Sequence, residues 1–393
     1  MLSKFNHVRI SGISVVVPPK EICIYDEAEY YENSVKKIDR MRKMVGFYKR
    51  RVSEAGVTPS DYGIASAEKL IADMNLDKNS IDALVNVTQK PDFMDPATAY
   101  YIHKKLGLSI NCAAYDINQG CVGWVYGSWI AAQMLESGVC RRVLLIAADA
   151  PSSTTNVNDR INAPVFGDGG CATLLEYSPE CENFYFNIET FSDGYETLIT
   201  PSSVSTQRCY FNLINKNEDL EMFLDMIKNP IQTPFGHKTT IFNGYMDGIA
   251  VFNFTMEKVP PNIKAVMEFA AVKEEDIAYL CLHQANKQIV QTVGTSAGFS
   301  LEKVPYYAFE NYGNNTMVSI PTTINTVVKE NRTGKTKLVC SGFGNGLVVA
   351  SSVITLDNNV YLSGIMDYEK PADFVTREEY INYWNKKLKG EQQ

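Results

Sequence analysis

Short apolar runs of strand length alternate with longer stretches of helical periodicity along most of this chain, and that alternation restricts it to an α/β architecture. Strands are expected at Val8–Val17, Ile81–Thr88, Cys112–Ile117, Arg142–Ala148 and Cys171–Glu176, and again at Ile277–Leu282, Lys337–Cys340 and Val348–Leu356. Helices are expected at Ser60–Met74, Pro96–Leu106, Val122–Leu135, Phe254–Ala271, Lys287–Ala297 and Thr322–Glu330. At 393 residues the chain is too long for one small core and suits two domains or one large unit with two halves. We divide it into a first half, 1–178, an irregular cap or linker, 179–250, a second half, 251–358, and a charged tail, 359–393. The linker mixes aromatic and polar residues, with one short helix expected at Leu220–Ile227; the tail, with Tyr380 and Trp384 among its charges, reads as a surface helix or a frayed end.

Composition narrows the function. Nine cysteines, an odd number without CxxC spacing, argue against a disulfide framework or a zinc site. The amino terminus has no cleavable apolar segment, and no run approaches eighteen apolar residues, so we expect a cytoplasmic protein with no membrane span. The net charge of −8 argues against a nucleic-acid surface. One basic cluster, Arg40, Arg42, Lys43, Lys49, Arg50 and Arg51, reads first as a solvated helix face.

Three strand ends carry chemistry. Cys121 follows Gly120 where the Cys112–Ile117 strand turns into a helix, and a thiol in a first helical turn is expected to have a lowered pKa. Taken alone, it is as readily a small buried hydrophobe. His283 ends the Ile277–Leu282 strand in the run His283-Gln284-Ala285-Asn286; alone, such a histidine is more often structural. Asn314 lies in Tyr312-Gly313-Asn314-Asn315-Thr316 before another helix. A thiol, an imidazole and an amide together make a plausible nucleophilic site.

The motifs DINQGC around Cys121, NDR at Asn158–Arg160, FGDGG at Phe166–Gly170, HQAN at His283–Asn286, YGNNTMVSIP at Tyr312–Pro321 and SGFGNGL at Ser341–Leu347 occur in one order. In these motifs the chain resembles the 3-oxoacyl-acyl-carrier-protein synthase III family of the thiolase-like superfamily, from Val8 to Leu356. The resemblance implies a duplicated α/β/α/β/α five-layer fold, usually a homodimer, and a decarboxylative Claisen condensation without metal or redox cofactor. It implies that Cys121 accepts an acyl group from acyl-CoA or acyl carrier protein, and that His283 Nε2 and the Asn314 amide donate to the thioester oxygen of malonyl carrier protein. The acyl oxyanion would meet the backbone N–H groups of Cys121 and of the Gly344-Asn345-Gly346 loop, with Asn345 the assigned donor. Counting back from Pro321 selects Asn314 over Asn315. Phe166–Gly170 is read as structural, with Asp168 accepting backbone hydrogen bonds.

Departures from the family pattern concern substrate. Arg160 matches an arginine that stacks on the adenine of coenzyme A, but its tryptophan partner is replaced by Arg40 and another contact by Met44. After HQAN a carrier-docking arginine is replaced by Gln288, so the Arg40–Arg51 cluster becomes a second candidate for carrier recruitment. Phe93, Met94, Phe252 and Phe254 are candidates for an acyl pocket. Three other readings stay open: transfer of the acyl group to a hydroxyl or amine, a degradative thiolase with Cys340 as second cysteine, and a non-catalytic partner subunit. Asn314 favours condensation, Cys340 reads as core, and an intact Cys121 disfavours the partner subunit.

Overall fold

In a computed structural model of the chain, residues 1–160, 162–201, 221, 224–225, 228–233 and 238–391 are described. Two mixed sheets dominate. The first has the strand order Tyr361–Asp367, Val8–Val17, Gly169–Tyr177, Arg142–Asp149, Ala83–Val87, Ala113–Ile117. The second has the order Leu2–Phe5, Phe184–Thr190, Val348–Leu356, Thr336–Gly344, Tyr279–Leu282.

Duplication is visible in the pairing. In the first sheet, Ala83–Val87 runs parallel to Arg142–Asp149, which is antiparallel to Gly169–Tyr177, itself antiparallel to Val8–Val17. The second sheet repeats this with Tyr279–Leu282, Thr336–Gly344, Val348–Leu356 and Phe184–Thr190. Both faces of each sheet are covered, which is why its strands read as near-continuous apolar runs. Val143, Leu145 and Ala147 point to the layer between the sheets, while Leu144 and Ile146 join the core under Pro59–Asp73 and Thr98–Leu106. Correspondingly, Leu338 and Cys340 face the middle, and Val339 and Phe343 face outward to Gly248–Phe269 and Lys287–Ser296. The middle layer holds the Gly123–Glu136 helix and the helical run from Thr316 to Asn331. The result is five layers, α/β/α/β/α.

The middle run begins at Thr316, six residues before the expected start, and passes through a π-helical turn at Ile324–Val328. Its hydroxyls explain the difference. Thr322, Thr323 and Thr326 donate to the carbonyls of Val318, Ser319 and Thr322, so a buried helix carries polar residues without leaving them unpaired.

Sheet membership crosses the divisions at 178/179 and 358/359. Phe184–Thr190, within the stretch expected to be irregular, is a strand of the second sheet; its alternation is masked by Asn187, which is buried and donates to the Asn262 carbonyl. Tyr361–Asp367, in the expected tail, pairs in parallel with Val8–Val17. The rest of the tail forms the helix Arg377–Leu388, every residue of which is exposed. The helix expected at Leu220–Ile227 lies largely outside the described residues. No helix among the described residues is long and apolar enough to cross a membrane.

The two halves are stitched by backbone. Asn314 N–H donates to the Val165 carbonyl at 2.9 Å and Gly167 N–H to the Asn314 carbonyl at 3.1 Å, a parallel bridge between Phe166 and Asn314. A Cβ at Gly167 would overlap the Tyr312 carbonyl oxygen. Gly167→Ala is therefore expected to lose roughly 3 kcal/mol or more of stability, the upper end for overpacking, read as a lowered urea midpoint; an unchanged midpoint would contradict this contact.

Candidate active site

Cys121 stands two residues before the first helical residue, Gly123, with Val122 as the cap in helical conformation. It packs over the Thr336–Gly344 strand: a Cβ built on Gly344 would lie 3.3 Å from Cys121 Sγ, and one on Gly342 would lie 2.9 Å from the Cys121 carbonyl oxygen. Glycine is required there by the close approach. His283 leaves the neighbouring strand, its N–H donating to the Ser341 carbonyl at 2.8 Å, with its ring edge-on to Phe343 at 5.4 Å. The Ser341–Gly344 end of that strand thus contacts both the thiol turn and His283. From the opposite side, Met317 packs against Gly123, bringing in the turn that holds Asn314 and Thr316.

Thr316 ties these groups together through its backbone. Its carbonyl lies 3.1 Å from His283 Nδ1, and its N–H donates to Asn314 Oδ1 at 3.1 Å. Pinning Oδ1 leaves Asn314 Nδ2 as the group that can donate to a substrate oxygen. Asn315 is different: it is fully buried and its Nδ2 donates to Thr322 Oγ1 at 3.0 Å, a packing role. Thr316 adopts φ +51°, a left-handed conformation costly for a β-branched residue.

The ring of His283 is buried, and burial depresses its pKa to about 4 against the opposing pull of the Thr316 carbonyl, so it is neutral at pH 7. A carbonyl facing Nδ1 favours the tautomer with the proton there, which leaves Nε2 as an acceptor. In that tautomer Nε2 suits a base toward Cys121, whereas the sequence expectation made it a donor.

Cys121 also differs from expectation. Its thiol is pushed up to about 12, by burial first and by the Asp149 carboxylate second. The lowering expected from a helical first turn is outweighed because the residue lies outside the helix, in a low-dielectric layer, facing a negative charge. The thiolate is therefore made during attack, by proton transfer, rather than resting in the free enzyme. Asp149, the last residue of its strand, is the site residue that sequence reasoning missed; the signal was an acidic residue closing a buried apolar strand. It accepts the Ala150 N–H at 2.9 Å, faces the Thr316 hydroxyl, and is itself raised to about 6 by burial, with Lys90 opposing.

The Cys121 N–H and the Asn345 N–H donate to no backbone carbonyl among the described residues. Asn345 lies beside the thiol turn, its Oδ1 2.9 Å from where a Gly120 Cβ would stand, while its Nδ2 reaches the Leu198 carbonyl at 3.4 Å. Asp168 accepts from the N–H groups of Ser53 at 2.7 Å and Ser152 at 3.0 Å, in keeping with a structural role.

The remaining candidates disperse. Arg160 is exposed near Glu32, and its neighbour Asp159 is a buried acceptor for Asn162. The basic cluster divides: Arg50 pairs bidentately with Glu27, Arg51 with Asp367, and Lys49 with Glu21, all from a strand, while Arg40, Arg42 and Lys43 stay exposed on the helix Val35–Val45. Phe252 and Phe254 pack in the outer core of the second sheet, Phe93 stacks edge-on with Tyr101, and Met94 is exposed. Cys340 is fully buried beside Cys281 in the sheet. Among the described residues no cluster of three His, Cys, Asp or Glu could hold a metal ion.

Comparison with known proteins decides the family. Residues 115–194 match the family model for 3-oxoacyl-[acyl-carrier-protein] synthase III, and residues 267–356 match its C-terminal counterpart. A Campylobacter jejuni relative that carries the name 3-oxoacyl-[acyl-carrier-protein] synthase 3 provisionally is 35% identical over 374 residues, spanning 94% of this chain and 99% of its own. The chain belongs to the 3-oxoacyl-[acyl-carrier-protein] synthase III family. A beta-ketoacyl-[acyl-carrier-protein] synthase III of Lactococcus lactis is 31% identical over 312 residues, 78% of this chain and 88% of its own. The crystal structure of a 3-oxoacyl-(acyl-carrier protein) synthase from Burkholderia xenovorans superposes with a TM-score of 0.82 at 28% identity, covering 93% of this chain and 99% of that one. As a family member the chain is a condensing enzyme of the acyltransferase type.

Because burial and the Asp149 carboxylate push the thiol up to about 12, the rate of Cys121 alkylation by iodoacetamide should rise about tenfold per pH unit from 7 to 9 without a plateau. Asp149→Asn removes the facing negative charge and should speed alkylation at pH 8; a plateau below pH 8 in the unaltered protein would contradict a raised thiol pKa.

Proposed function

We propose that the protein transfers an acyl group from a coenzyme A or carrier-protein thioester to Cys121 and condenses it with a malonyl thioester to give a 3-oxoacyl thioester. The observation that supports this reading is the double hold of Thr316 on a neutral His283 and on Asn314 Oδ1, which leaves the amide Nδ2 to donate, while Cys121 packs on the Gly342–Gly344 strand end beside the His283 strand. In the first half, His283 Nε2 takes the Cys121 proton as sulfur attacks the acyl carbon. The tetrahedral oxyanion meets the Cys121 and Asn345 N–H groups, and the leaving thiolate receives the proton back. In the second half the malonyl carboxylate leaves as CO₂, and its bonding pair becomes the enolate, whose oxygen is met by Asn314 Nδ2 and the imidazole. The enolate carbon then attacks the acyl carbonyl, the C–S bond breaks, and the Cys121 thiolate that leaves takes up one proton from solvent, replacing the one that departed with the first thiol. Transfer to a hydroxyl or amine would need a base but gives the Asn314 donor no oxyanion to serve, so condensation is favoured.

Delivery is proposed to involve a carrier protein. The exposed Arg42 and Lys43 of the Val35–Val45 helix, with Lys287 at the start of its own helix, outnumber the acidic Asp39 and Glu310 around a cleft of about 270 Å³ that also contains Tyr306. Positive side chains from two helices suit an acidic partner. Operation as a homodimer in the cytoplasm is part of the same proposal.

The test is incubation with labelled acyl thioesters, followed by malonyl carrier protein. Label on Cys121, then one CO₂ and one 3-oxoacyl product per label, is expected; stable labelling followed by transfer to an alcohol or amine without CO₂ would overturn the reading. Cys121→Ala should abolish labelling. Asn314→Ala should slow decarboxylation roughly 10²–10³-fold while sparing acylation, the scale for one lost oxyanion donor. Equal loss of both half-reactions would contradict its role.

A further inference from the structure

The reaction proposed above asks two incompatible things of one neutral imidazole. Acylation needs a lone pair on His283 Nε2, and enolate stabilisation needs a hydrogen on the same atom. What faces Nδ1 decides which form is present, because a neutral ring carries one proton on one nitrogen. Two groups lie at 3.1 Å from Nδ1: the Thr316 carbonyl, which can only accept, and Ser319 Oγ, which can do either. Ser319 is completely buried, so no bulk water competes for its hydroxyl.

The hydroxyl has two satisfied orientations. In one, it donates to the Thr316 carbonyl at 2.7 Å, an oxygen that the Ser319 N–H also reaches, and the Nδ1 proton shares that acceptor. Nε2 is then a free base. In the other, the hydroxyl turns toward Nδ1 and donates to it, which stabilises the ring with its proton on Nε2. Throughout, the Gln284 N–H at 3.2 Å supplies Ser319 Oγ with a donor and the Ser319 N–H supplies the Thr316 carbonyl with one, so turning the hydroxyl strands neither. Without Ser319, an Nε2-protonated ring would point a bare Nδ1 lone pair at a carbonyl oxygen.

We propose that Ser319 is a positioning residue that sets the His283 tautomer, allowing one ring to accept a proton in acyl transfer and donate a hydrogen bond in condensation. The inference rests on the condensing reading for its kinetic consequence. The tautomer exchange itself is an isomerisation: an N–H bond breaks at Nδ1, another forms at Nε2, and no proton is gained or lost overall.

The test uses full-length protein carrying ¹⁵N-labelled histidine. The chain has four histidines, so the His283 signals are assigned by their absence in His283→Gln. At pH 7, long-range nitrogen–proton correlations distinguish the two tautomers. The unaltered protein should show a measurable share of the Nε2-protonated form, Ser319→Ala should lower that share by about tenfold, the scale of one lost hydrogen bond, and Ser319→Thr, which keeps a hydroxyl, should restore it. The ratio of condensation rate to acylation rate should fall about tenfold in Ser319→Ala, in step with the lost tautomer. A purely Nδ1-protonated ring in the unaltered protein, both free and acylated, would overturn the inference, as would an unchanged tautomer share or equal slowing of both half-reactions in Ser319→Ala. If no acyl group is ever accepted, the condensing reading fails, while the spectra still decide what Ser319 does to the ring.

Discussion

The backbone of one residue, Thr316, orders the chemistry of this protein. Its carbonyl orients the imidazole and its N–H orients the amide, so two side chains from separate segments are held by a single peptide neighbourhood. The conformation that makes this possible, φ +51° at a β-branched residue, costs on the order of 1–3 kcal/mol and persists only where the surroundings impose it. Those surroundings are the packed middle layer. Met317 presses on Gly123, Val318 and Ile320 are buried, and Asn314 is bridged to Phe166 across the junction of the halves.

Duplication explains why the site lies where it does. Each half contributes a strand end to the middle layer: the Ala113–Ile117 strand delivers Cys121, and the Tyr279–Leu282 strand delivers His283. Neither half holds both groups. The glycine-rich end of Thr336–Gly344 lets the thiol turn of the first half lie against the second, and the Gly167 region does the same for the Asn314 turn. The FGDGG and YGNN motifs are thus two sides of one contact.

Much of this was legible in the sequence, because buried strands and the turn residues at their ends leave strong local signals. Val8–Val17 and Val348–Leu356 match their expected bounds, and Cys121 and His283 follow strand ends as expected, whereas Asn314 follows a short helix, Tyr307–Tyr312, rather than a strand. Phe184–Thr190 was hidden because a buried Asn187 breaks its apolar run, and Tyr361–Asp367 because its partner, Val8–Val17, lies more than 340 residues away. Protonation states were not legible. The Cys121 thiol is raised rather than lowered, through burial and through Asp149, and neither the exposure of a thiol nor the approach of a distant carboxylate is written in local sequence. The tautomer of His283 depends likewise on Thr316 and Ser319, more than 30 positions further along the chain.

The central claim is that the backbone of residue 316, not its side chain, holds the site. Thr316→Gly separates the two, since glycine keeps the N–H and carbonyl, accepts φ +51° without strain, and removes the whole side chain, including the hydroxyl that faces Asp149. The decisive measurement is the single-turnover condensation rate of Thr316→Gly beside its thermal midpoint. The account predicts a midpoint no lower than that of the unaltered protein and a rate within about tenfold of it, because both backbone contacts remain. A preserved midpoint with a loss of roughly 10² or more, the scale of a lost transition-state donor, would show that the side chain carries the site and would contradict the account.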